Sequence, residues 1–176
     1  ASWSQPNVED VRSQVDLWLQ SLKLNSSQIE EILVHWQPSQ RHQLLNCVGE
    51  VIAAALPSAA SLVRACRGPV KSPVLPNASF LSDEKLAPFA RNNLQLIYGC
   101  WLTNHDYFEE AHVQLSPLRL NDVVDPASLL FHQAVVFHRK MAKGSFLQAV
   151  HSLLENETTI PRRYVTLARL MEADVK

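Results

Sequence analysis

The chain has 176 residues, 47% of them hydrophobic and 19% charged, with a formal net charge of -1. That length buries a sizeable core without disulfide or metal staples, and the near-neutral balance argues against an electrostatic grip on nucleic acid. With only 4 glycines in the chain, long periodic stretches free of turn-formers predict an all-α protein, a helical bundle with antiparallel helical hairpins.

In chain order, Val8, Val11, Val15, Trp18 and Leu22 recur at steps of three and four behind Asn7, predicting a first helix over 8–22. Ser27 and Glu30 form a capping-box pattern ahead of Ile29, Ile32, Leu33 and Trp36, and Pro38 ends that second helix. From Ser39 the period resumes through Leu44, Val48, Val51, Ile52 and Ala55, breaks at Pro57, and continues through Leu62, Val63 and Cys66. Residues 1–67 thus read as an N-terminal helical region.

Pro69, Pro73 and Pro76 then deny residues 68–81 helical continuity, while Val70, Val74, Leu75 and Phe80 let this proline-rich strap lie across its neighbours. Ser82 is expected to cap a long helix carrying Leu86, Phe89, Leu94, Ile97 and Trp101, bent or divided at Pro88. Further helices are expected over 107–115, 126–143, 145–155 and 161–175, punctuated by Pro117, Asp125, Gly144 and Pro161. Residues 82–176 therefore form a helical-hairpin region, packed with the first as one globular unit.

Small residues at Gly99, Ala134 and Ala168 stand 35 and 34 apart, each followed three residues later by Leu102, Phe137 or Met171. Pro126 and Pro161 keep the same step, each at a helix start. In the partner helices Phe108 and Ala111 pair with Phe146 and Ala149. Over residues 92–176 this pattern resembles the tetratricopeptide repeat family, in which a Gly or Ala of one helix precedes an Ala of the next by twelve, as Gly99 precedes Ala111. Ala134 and Ala149 depart from it at fifteen, and a plain bundle reusing small contact residues has a similar look. The resemblance implies a short α-solenoid capped by the N-terminal helices.

Candidate chemistry is sparse. His105, Glu109 and His112 share spacings that could place them on one face as metal ligands, but the histidines are not four apart with a glutamate beside the first. Cys47, Cys66 and Cys100 fit no zinc spacing and read as buried thiols. No glycine loop for phosphate or dinucleotide and no nucleophile in a glycine-bearing turn can be assembled, so no cofactor is expected. The apolar stretch 51–63 is shorter than the roughly 20 residues of a membrane span, so a soluble chain is expected. Ala1 to Pro6 carries no leader pattern, which favours the cytoplasm and leaves export after leader removal open. A helical pattern running to Lys176 without a stop reads as part of a longer polypeptide.

The family resemblance implies a partner-binding groove on the first helix of each hairpin, with Asn93, Thr103, Asn104, His138, Arg139, Arg162 and Arg169 at matching positions. That polar, cation-biased set leads to the expectation of a non-enzymatic interaction module for a protein or peptide partner, one bearing carboxylates, with no nucleic acid and no membrane span. The competing expectation is a helical enzyme or metal-binding protein using the histidines of the second half.

Overall fold

The computed structural model describes residues 37–67, 75–84, 86–155 and 160–175, so the helices expected over 8–22 and 27–36, and Val70 and Val74 of the strap, lie outside the described residues. Among the described residues there are seven α-helices and no strand: α1 (Pro38–Ala55), α2 (Pro57–Ala65), α3 (Pro88–Asn104), α4 (Phe108–Leu115), α5 (Pro126–Arg139), α6 (Lys143–Leu154) and α7 (Arg162–Val175). The chain is all-α, and among the described residues no helix is long and apolar enough to cross a membrane.

Proline sets four of the starts. Pro38, Pro57, Pro88 and Pro126 each open a helix in its first turn, where the missing N–H leaves no bond unmade and the ring's φ is already helical. Ser82 is accordingly not the cap of a long helix: it closes a short 3-10 turn, Ser79–Ser82, and α3 begins only at Pro88. A proline inside a helix would collide with the preceding turn, so it starts α3 instead of bending it.

The second correction is at Gly144. It lies within the first turn of α6, and the turn between α5 and α6 falls earlier, with Met141 at φ 60. Here Met141 N–H donates to His138 O and Ala142 N–H to Phe137 O. The α3–α4 turn has the same two bonds, Asp106 N–H to Thr103 O and Tyr107 N–H to Leu102 O, with Asp106 at φ 65. Both are Schellman closures, and their left-handed residues stand 35 apart. In this register Phe146, rather than Ala149, lies 35 beyond Ala111, so the expected pairing of Phe108-Ala111 with Phe146-Ala149 is three residues out of step with the turns.

Helix α1 packs on α2 and α3, α3 on α4 and α5, and α5 on α6 and α7. Alternate helices α1, α3, α5 and α7 therefore lie each beside the next. One apolar core takes Leu44, Val48 and Ile52 from α1, Leu62 from α2, Leu94 and Leu102 from α3 and Leu115 from α4, with Leu75, Phe80 and Leu81 of the strap against it. A second joins Phe131 and Ala134 of α5 to Phe146, Val150 and Leu153 of α6 and Ala168 of α7. Gly99 and Gly49 let helices close up: an added Cβ would fall 2.6 Å from Leu115 Cγ at the first and 2.9 Å from Ile97 Cδ1 at the second.

Candidate functional site

A cavity of about 330 Å³ opens where the alternate helices meet. His42, Leu45 and Asn46 of α1 form one wall, with Cys66 at the end of α2; Ile97, Cys100, Trp101 and Asn104 of α3, with His105, form the floor. Ser128, Phe131 and His132 of α5 and Arg163 and Tyr164 of α7 form the far wall. None of these residues is a carboxylate.

Its geometry is held by Asp125, 1% exposed at the N-cap of α5. Oδ1 accepts the Ser128 backbone N–H at 3.2 Å, and Oδ2 accepts the Ser128 hydroxyl at 2.6 Å. Oδ2 also accepts His42 Nδ1–H at 3.1 Å across a separation of 83 residues. With the Ser128 hydrogen so committed, the Tyr164 hydroxyl donates to Ser128 Oγ at 2.9 Å. A single buried carboxylate thereby ties α1, α5 and α7 together; a charge at that depth is stable only when donors surround it.

The ionisable groups respond to these surroundings. The hydrogen bond from Asp125 raises the pKa of His42 above its ordinary value, against the opposing pull of burial. His132 is buried and donates Nδ1–H to Ser128 O at 2.6 Å; burial lowers its pKa to about 4, so it is a neutral ring. Burial pushes the Cys66 thiol and the Tyr164 phenol up to about 12, and raises Cys100 well above its ordinary value. Cys47, Cys66 and Cys100 form no disulfide with one another.

Aromatic faces complete the lining. Phe131 and Tyr164 stack with centroids 4.2 Å apart, and His105 stacks on Trp101 at 4.5 Å while donating Nδ1–H to the Trp101 carbonyl. The buried Trp101 indole N–H has no acceptor among the described residues. Arg163 and the side-chain amides of Asn46 and Asn104 form no ion pair or hydrogen bond there either.

A serine, a histidine and an aspartate in one cavity suggest hydrolysis, but their directions are wrong for it. Ser128 gives its hydrogen to Asp125 instead of to an imidazole, and the nitrogen that His132 turns toward Ser128 bonds the backbone carbonyl. A serine nucleophile needs a base on its hydroxyl, and among the described residues this arrangement supplies none.

Of the seven residues expected in a groove, the structure brings Asn104 into this one. Asn93 is wholly buried, donating to Phe89 O and accepting from Val124 N–H, and Thr103 is buried with its hydroxyl on Gly99 O. These two fasten the core and have no surface to offer. His138 pairs with Asp174 at 2.9 Å beside Met141, away from the groove. Arg139 lies over the Phe108 ring at 5.6 Å, while Arg162 and Arg169 are exposed on α7. Arg163, next to the expected Arg162, is the α7 cation that faces the cavity. One residue is a 100° rotation on a helix, more than the expected face could tolerate.

His105, Glu109 and His112 do not converge. His105 is stacked on Trp101 in the turn, Glu109 pairs with Lys140 at 2.6 Å, and His112 meets the Phe137 ring edge-on. No group of three metal-ligating side chains occurs among the described residues. His42 and Asp125, which brace the groove, had a partial signal in the sequence: Asp125 before Pro126 with Ser128 three on is an N-cap pattern, but the distant histidine has none. Comparison with protein-family models, curated proteins and solved structures finds no match to this chain.

Proposed function

We propose that this chain is a non-enzymatic interaction module, a helical repeat-like scaffold that holds a carboxylate-bearing peptide segment in the groove between α1, α3, α5 and α7. The observation that carries this reading is the lining itself: Arg163 and the amides of Asn46 and Asn104, which form no ion pair or hydrogen bond there among the described residues, surround aromatic faces, and none of the described lining residues is acidic. Charge-assisted bonds from a guanidinium suit a carboxylate, and the stacked Trp101 and Tyr164 rings suit the apolar parts of a side chain. A cavity open between helices admits side chains of an extended segment rather than a folded surface.

Titration with paired acidic and basic peptides, followed by amide chemical shifts, tests this. Acidic peptides are expected to perturb α1, α3, α5 and α7, and Arg163→Glu to weaken them at least about tenfold while Arg162→Glu, one position round the helix, changes little. Equal binding of basic peptides, or equal loss in the two variants, would overturn the reading.

A further inference from the structure

His42 differs from every other ionisable group of the groove in facing both ways: its side chain is 53% exposed, yet Nδ1 is committed to a carboxylate that is 1% exposed. Asp125 cannot swing out to follow it, because Ser128 holds both carboxylate oxygens. The remaining groups that share the cavity are Cys66 from α2, Cys100 and His105 from α3, His132 from α5, and Arg163 and Tyr164 from α7. Burial keeps the thiols and the phenol protonated, His132 stays neutral down to about 4, and a guanidinium does not titrate. His105 spends Nδ1 on a backbone carbonyl, and no carboxylate bonds it among the described residues.

Resting on the reading of the groove as an acceptor of acidic segments, we propose that binding is linked to proton uptake at His42. Its imidazolium, braced by Asp125, offers Nε2–H to a carboxylate of the partner, so the grip tightens as pH falls through the neutral range. The proton comes from solvent and no covalent bond changes. Asp125 is a positioning residue here: it turns the ring and favours the charged form, as a second carboxylate does for a histidine at many sites. Among the described residues the groove then carries one cation at all pH values, Arg163, and one that appears on acidification.

The test measures anisotropy of a fluorescein-labelled oligoglutamate peptide from about pH 6 to about pH 8.5, where its carboxylates stay ionised and histidine titrates. Affinity should rise about fivefold toward the acid end in the wild type and in His105→Gln. In His42→Gln it should be flat and weak, and in His42→Arg flat and strong. Calorimetry in buffers of different protonation enthalpy should show proton uptake on binding that His42→Gln abolishes. Binding that keeps its pH dependence in His42→Gln, or loses it in His105→Gln, overturns the proposal while leaving the groove reading standing. An absence of binding at every pH overturns both, and circular dichroism confirms that each variant is folded.

Discussion

In the core shared by α1 to α4 and the strap, Leu44, Leu62, Leu94 and Leu102 are completely buried and drawn from three helices. In the core of α5 to α7, Phe146 and Leu153 are the large side chains buried to 1% or less among the described residues, and α7 buries only Ala168. What the second core lacks in apolar depth is replaced by polar ties to α7: Tyr164 to Ser128, His138 to Asp174 and His151 to Glu172. Burial is non-directional and tolerant, whereas such ties hold one geometry, so the placing of α7 depends more on polar contacts than the packing of the first core does.

The sharpest way to break this contrast is Phe146→Ala, which should cost about 4 kcal/mol. The same loss in the first core would be shared among many leucines. Here it should separate the urea transition into two, with α5 to α7 melting first, and a single transition would show the cores to be one cooperative unit. Next in size is acidification. An unfolded histidine binds a proton near pH 6.5, but His132 in the fold does so only at about 4. Its contribution is therefore complete above 6.5 and drains away as pH falls to about 4, by about 3 kcal/mol. His42 acts with the opposite sign: its raised value contributes below 6.5 and is lost as pH rises through the folded value. Urea melts at pH 7 and pH 4.5 of the wild type and His132→Gln should show the variant losing less on acidification; parallel losses would place the acid sensitivity elsewhere.

The smallest effect compares two glycines, one at each hairpin. Gly99→Ala drives a methyl into Leu115, whose buried chain has little room to yield, and should destabilise by about 1 kcal/mol after the gain in helix propensity. Gly144→Ala meets nothing within 4 Å on α6 and should stabilise by about 0.5 kcal/mol. Thermal melts of the pair having the same sign would mean that the close approach at Gly99 is not a constraint.

These glycines also mark how far the sequence could be read. Apolar period and first-turn prolines place α1, α2, α5 and α7 within a few residues, because both signals are local. At the α5–α6 turn the sequence points to Gly144, because glycine is the usual left-handed residue, whereas Met141 takes that conformation, held by the bonds of Met141 N–H to His138 O and Ala142 N–H to Phe137 O. The groove was less legible. Asn104 lines the cavity, but Asn93 and Thr103 satisfy their polar groups within the core, and a lone sequence does not say which polar residues do so. His42 and Asp125 stand 83 residues apart, a contact that exists only after α1, α3 and α5 have stacked.

Helix α5 contributes to both cores, and the cavity beside it has walls from each: α1 and α3 on one side, α7 on the other. An occupant of the kind proposed would therefore act as a rivet through the junction, and its affinity would add to the heat resistance of the folded chain, by about 2.7 kcal/mol at a concentration one hundred times its dissociation constant. A partner fragment would announce itself as a higher melting temperature before anything else about it was identified. The α5 to α7 half, with the shallower core, would show the larger rise.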